Sequence, residues 1–347
     1  MRTTFYARAL LLVSAVFCAA AFELACDGAD VAPSPPPSPE RLPENDARTD
    51  PEAPCTTGMP SATSFCALPF EETAFEMVDQ SSTTKDGCTQ LYVASRGLGE
   101  RVARVRRYRM TGVDVCGFAR DPIFGEVTGY FSAISASEDG AVYALGPGVV
   151  RRIAPGPAID CVGRDVTLGE HGSLAVAPNG RSGYVVWDSI AAPKFARLSV
   201  SSNGCELVAF PLDSELSELR QVAGITADAV ERLHIVETSD DMALDKQAWI
   251  VGADGKTVAR YAPSRHDAFM ELPRRVTPCG IGTCVPDVGT IAAFTAEGQL
   301  LAWESEPGTD GWFSPVAFVG SAGGPLFRIG WGFNQRPGMR VQIVKIP

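Results

Sequence analysis

The chain has 347 residues, 45% hydrophobic and 20% charged, which is the composition of a folded protein with one large core or two average ones. Its formal net charge of −11 would repel a phosphate backbone and argues against a nucleic-acid partner. With Gly 34 and Pro 26, many turns are expected.

The N-terminus comes first in chain order. Arg2 and Arg8 flank a short polar start, and "ALLLVSAVFCAAAF" (Ala9 to Phe22) supplies an apolar run. That run is too short for a mature membrane span and suits a signal-peptide core. Two exits compete. Ala19-Ala20-Ala21 fits a small-x-small cleavage site, whereas Leu24-Ala25-Cys26 resembles the end of a bacterial lipobox, whose cysteine is lipidated. Glu23 departs from the leucine usual at its position in that motif. Cysteine parity favours the lipobox. Of ten cysteines, Cys18 lies in the signal, and setting Cys26 aside leaves eight, an even number suited to an oxidising compartment.

The expectation is therefore a signal at residues 1–25, a lipidated Cys26, and a tether over residues 26–54. The tether is rich in proline and acidic residues, as in "VAPSPPPSPERLPENDARTDPEAP", and would stay extended. This makes the chain a cell-envelope lipoprotein, periplasmic or surface-displayed, touching the membrane through its lipid anchor only. Simple secretion is the alternative.

Beyond residue 54 the chain repeats. Five segments align without gaps: "LYVAS" (Leu91 to Ser95), "VYALG" (Val142 to Gly146), "YVVWD" (Tyr184 to Asp188), "LHIVE" (Leu233 to Glu237) and "LLAWE" (Leu300 to Glu304). Each follows a turn signal such as Asp139-Gly140 or Asn179-Gly180. Ahead of the turns lie small, aliphatic strands: "AISAS", "LAVAP", "GITAD" and "IAAFTA", with "FEMVDQ" a weaker first copy. Side chains of that size suit strands crowded around one axis. Further strands follow in most units, including "GVVRRIA", "FARLSV" and the hairpin "QAWIVGADGKTVARYA", which turns at Asp254-Gly255. The run "RVARVRRYRM" (Arg101 to Met110) reads as one more strand, with a solvated arginine face.

Four strands repeated every few tens of residues make the chain all-β, and a β-propeller of four-stranded blades over residues 55–347. The count points to six blades, with seven as the alternative; a pair of β-sandwiches is the competing fold. The final unit offers only "LFRIGWGF" and "RVQIVKI", so strands from the N-terminal part, around residues 55–80, would close the ring. The pattern "GITADAVERLHIVE" resembles the NHL-repeat and gluconolactonase-like propellers, over roughly residues 75–347.

Cys116, Cys161 and Cys205 are spaced 45 and 44 residues apart, at the turn into or the start of each fourth strand. Equivalent rim positions on neighbouring blades are usually beyond the roughly 7 Å that a disulfide tolerates between Cα atoms. Local pairs are therefore expected: Cys279 with Cys284, Cys55 with Cys66, and Cys88 with Cys116. Cys161 and Cys205 are left for each other, which requires one loop to lean. A zinc reading of "CGIGTC" fails for want of ligands.

The aligned second strands end in Asp188, Glu237 and Glu304, and the loop after Glu237 adds Asp241. In a propeller these carboxylates would rim the channel mouth, where oxygen ligands could hold Ca²⁺. A solvated acidic rim is the plainer reading. Resemblance to the gluconolactonase-like enzymes implies a channel-mouth metal, with Asp188 and Glu237 in ligand roles, and so a metal-dependent hydrolase or lyase. His171, His234 and His266 could form a zinc site only if they share one face, and His234 sits within a strand. No nucleophile elbow, zincin motif or phosphate loop appears. Trp312, in the polar loop "PGTDGWFSP", is the tryptophan best placed for ligand or glycan contact. The favoured function is a binding or scaffold module with a protein or glycan partner; the alternative is the lactonase-like enzyme.

Overall fold

The structure is a computed structural model. It describes residues 65–69, 75–112, 117–122, 124–153, 158–163, 165–188, 192–202, 204–216, 219, 221–237, 247–261, 276–280, 282–287, 290–305, 313–322, 324–332 and 338–344. All lie in the unit Thr49–Pro347. Strand β1 (Phe65–Ala67) comes first among the described residues and pairs with the last strand described. Strands β2 (Phe75–Lys85), β3 (Cys88–Gly97), β4 (Ala103–Gly112) and β5 (Gly117–Arg120) form an antiparallel meander, with β6 (Val127–Gly129) added along β4. The second meander is β7 (Ala133–Ala136), β8 (Val142–Gly146), β9 (Val149–Ile153) and β10 (Ile159–Gly163). The third is β11 (Gly172–Val176), β12 (Ser182–Trp187), β13 (Lys194–Ser201) and β14 (Gly204–Ala209).

A 3₁₀ turn at Ser214–Leu216 leads to β15 (Val222–Ala227), β16 (Leu233–Glu237), β17 (Ala248–Val251) and β18 (Thr257–Tyr261). The fifth meander is β19 (Thr277–Cys279), β20 (Gly282–Asp287), β21 (Thr290–Thr295) and β22 (Leu300–Ser305). In the sixth, β23 (Phe313–Gly320), β24 (Leu326–Gly332) and β25 (Gly338–Val344) are completed by β1, with Cys66 opposite Val341. The first strands of the meanders touch in a closed cycle, β2 to β7, β11, β15, β19, β23 and back to β2. Radially repeated four-stranded sheets around one axis are a β-propeller.

The alternation within single strands explains why both faces of each sheet are apolar. Leu91 and Val93 of β3 pack with Phe327, Ile329 and Val341 of the sixth sheet. Their neighbours Tyr92 and Ala94 point the other way, to Ile134 and Val142 of the second. A period of two thus feeds two cores, and the second strands read as continuous apolar runs.

The first strands face a different problem, because their inner edges have no strand partner. Short polar side chains solve it. Ser81 Oγ accepts from the Ala136 N–H at 2.9 Å, Ser135 Oγ from Val176 at 2.9 Å, and Thr277 Oγ1 from Gly320 at 2.8 Å. Asp79 Oδ2 does the same for Ile134 at 2.7 Å, and the Thr84 and Ser321 hydroxyls meet at 2.7 Å. Strands β2, β7 and β19 thus satisfy backbone donors of the next strand around the ring.

Two expectations are corrected. "LLAWE" is the outermost strand β22 of its meander and "IAAFTA" is the third, while the first two are β19 and β20, within the stretch "TPCGIGTCVPD". Leu300 and Leu301 are half-exposed, as an outer strand permits, so their apolar character imitated a buried second strand. Cysteines, glycines and prolines weakened the β signal of the true inner pair. The arginines of β4 are not a solvated face: Arg106, Arg107 and Arg109 are buried. Buried Asp121 explains this, taking Arg107 Nη2 at 2.7 Å and Arg109 Nε at 2.5 Å. Arg107 also lies 5.0 Å from the centre of the Phe124 ring, and Glu126 holds Arg106 at 2.8 Å. The N-terminal contribution to ring closure among the described residues is the single strand β1.

Cys161 and Cys205 are joined, with Cα atoms 4.9 Å apart. Neighbouring rims come this close because β10 and β14 pair in parallel, Val162 opposite Glu206 and Gly163 opposite Leu207. The second and third meanders therefore merge along their outer strands. Cys279 and Cys284 are joined across the β19–β20 turn, and Cys88 is disulfide-bonded as well. Cys26, Cys55 and Cys116 lie outside the described residues, as does the side chain of Cys66.

Candidate functional site

In an antiparallel meander the first strand starts, the second ends, the third starts and the fourth ends on one face. At the axis of that face Asp79, Ser132, Ala133, Gly172, Ser173 and Gly224 line a cavity of about 210 Å³. Asp79 is the carboxylate at this mouth, and both its oxygens accept backbone N–H groups, from Gln80 at 2.9 Å and from Ile134. Sequence reasoning did not single it out. Its signal is an acid in a first strand, beside an irregularity between Met77 and Asp79. Deeper in, the channel shrinks to about 50 Å³ between Ser82, Ser135, Thr226, Thr277 and Ser321, room for a water or two.

The expected carboxylates are spread over this face. Asp188 follows β12 with a φ of 53°, and its exposed side chain pairs with Lys194 at 2.9 Å. Glu237 ends β16, half-buried, its backbone N–H bonded to Gln247 O at 2.9 Å. Glu304 sits near the end of the outermost strand β22, not of a second strand, so it is on the rim of its sheet. Asp241, His266 and Trp312 fall outside the described residues. Among the described residues no three His, Cys, Asp or Glu side chains come within reach of one ion.

His171 precedes β11 on the mouth face, whereas His234 lies near the opposite end of its sheet, fully buried. His234 Nε2 is 3.2 Å from Asp228 Oδ2, which also accepts from Arg232 Nε at 2.6 Å. Arg232 reaches on to Ala296 O at 3.0 Å and ties the fourth sheet to the fifth. Burial pushes the Asp228 carboxyl up, but hydrogen bonds from His234 and from the Arg232 backbone and side chain outweigh it and hold the group at about 2. An unfolded aspartate titrates near 3.9. The stabilisation, about 2 kcal/mol, is thus complete above pH 4 and lost as the pH falls towards 2. Urea melts at pH 5 and pH 2.5 should differ by less in Asp228→Asn than in the parent chain; equal differences would contradict the assignment.

A pocket of about 990 Å³ opens on the mouth face at the end of the third meander. Trp187 from the end of β12, Phe195 from the start of β13, and Phe210 just past β14 form its floor. Phe210 is fixed edge-on to Tyr184, with ring centres 5.1 Å apart. The 3₁₀ turn adds Leu216, and the chain beyond it Leu219, bonded through the Leu219 N–H to Leu216 O at 3.1 Å. This loop is held by Asp213 N–H to Gly255 O at 3.0 Å. Gly255 has a φ of 83°, and a Cβ there would meet Pro211 O at 2.1 Å, so the hairpin tip predicted at Asp254-Gly255 needs glycine. Its rim carries Asp165, Thr167, Lys194, Asp213 and Ser214. No sequence signal marks this pocket, since its residues come from three separate connections and read singly as core.

No known-family profile matches the chain, and no curated protein matches it. Solved structures do resemble it. A gluconolactonase from Xanthomonas campestris is 16% identical, covering 86% of this chain and 100% of that one, with a TM-score of 0.43. A nidogen/laminin complex chain is 15% identical over 71% and 89%, with a TM-score of 0.46. A subtype N11 neuraminidase-like protein of A/flat-faced bat/Peru is 8% identical over 84% and 96%, with a TM-score of 0.49. At such identities the likeness says nothing of activity.

Proposed function

We propose that the chain is an envelope-anchored, six-bladed propeller that works as a binding module, held by a lipidated Cys26 and displayed on the tether of residues 26–54. The observation that carries this reading is the contrast on the mouth face. The axis narrows to a water-sized channel, while the end of the third sheet opens a ligand-sized, apolar-floored pocket. Such lining favours a compact ligand over a long glycan or a broad protein surface.

A fragment screen of the full chain by ligand-observed NMR tests it. Hits should disappear in Thr167→Trp, where an exposed rim residue is enlarged to occlude the pocket. Hits that persist in that variant, or turnover of gluconolactone by the parent chain, would overturn the reading. The second reading, a metal-dependent hydrolase or lyase, is favoured by Asp188 and Glu237, which both close second strands on the mouth face. It expects bound Ca²⁺, with melting raised by the ion and lowered by chelator.

A further inference from the structure

We propose that the pocket at the end of the third sheet takes a small organic cation, an amine carried on a ring or branched alkyl body. The inference rests on the binding reading above and names its ligand class. Volume sets the size: about 990 Å³ is at the upper end of small-molecule sites. The floor sets the body. Trp187, Phe195, Phe210 and Leu216 offer flat aromatic and branched surfaces, and the aromatic faces also attract positive charge.

The rim sets the head group. Asp165 enters from the connection before β11 and Asp213 from the connection after β14, so carboxylates reach the pocket from two different loops. Lys194, the one cation among the described lining residues, is neutralised by Asp188 at 2.9 Å. Among the described residues no Lys, Arg or His forms an ion pair with Asp165; Asp213 accepts only from Ser214 Oγ at 3.2 Å. Among the described residues the rim thus carries two carboxylates with no paired cation, within a chain of net charge −11. A carboxylate or phosphate ligand would be repelled, and a neutral one would bring neither carboxylate a counter-charge.

Three probes of one shape and different charge test this: phenethylamine, 2-phenylethanol and 3-phenylpropionate, each titrated into the full chain by calorimetry. Phenethylamine should bind about tenfold more tightly than the alcohol, as two partly exposed ion pairs allow, and the carboxylate most weakly. Asp165→Asn with Asp213→Asn should bring the amine down to the alcohol's affinity and leave the alcohol unchanged. Equal binding of all three probes, tighter binding of the carboxylate, or no binding of the amine would overturn the cation assignment. The binding reading itself would still stand on the fragment hits lost in Thr167→Trp, so the two failures are separable.

Discussion

Replacing Asp121 with asparagine should cost about 3–5 kcal/mol of folding stability, because it removes the counter-charge from a buried cluster while leaving its shape. Asp121 is 2% exposed, and its Oδ2 is shared by Arg107 and Arg109, both themselves buried. Two guanidinium groups would then remain in a low-dielectric space with an amide that offers half the acceptor capacity and no charge. The strand geometry leaves no escape to solvent, since Arg107 is also stacked over Phe124 and the Asp121 N–H is bonded to Arg107 O.

The same logic separates this cluster from a pair that looks as good on distance alone. Glu76 takes Arg96 in two hydrogen bonds of 2.9 Å each, but on the surface of β2 and β3. There solvent screening and side-chain entropy reduce the pair to about 0–1 kcal/mol. Urea denaturation of Asp121→Asn and Glu76→Gln side by side checks both figures. Equal small losses in the two variants would mean that the buried cluster is not what fixes β4 to β5.

Those arginines also show where sequence reading ran out. Alternation in "RVARVRRYRM" correctly gave a strand, yet polarity alone could not say which side faces water, because the partner Asp121 comes a dozen residues later through a turn. The repeat itself was legible. Four of five aligned segments are second strands, since the inner hairpins have dense β-formers and Asp-Gly or Asn-Gly turns. The fifth slipped by two strands where disulfide, glycine and proline carried the fold in place of propensity. That the N-terminal part closes the ring was legible as well, but as more than one strand: β23 was not read, and with it in place β1 alone completes the last unit. The pocket was not, since its walls depend on how three connections stack in space.

Breaking the Cys161–Cys205 bond by the double change to serine is the other large effect expected, about 4 kcal/mol. The bond closes a loop of 44 residues, and loop-closure entropy in the unfolded chain rises with the logarithm of that length. Cys279–Cys284 spans five residues, and the same relation gives about 2 kcal/mol. The difference has a structural reading. The short bond only trims a turn between β19 and β20, whereas the long one fastens the outer strands of two sheets whose parallel pairing covers just Val162 to Gly163 against Glu206 to Leu207. Two rungs of a parallel ladder are too few to hold neighbouring rims together unaided. Hydrogen exchange should therefore rise in β10 and β14 when the long bond is removed, while β19 and β20 stay protected. Unchanged exchange in β10 and β14, together with a stability loss no larger than that of the short bond, would show that the merged sheet is held by its strands and not by its disulfide.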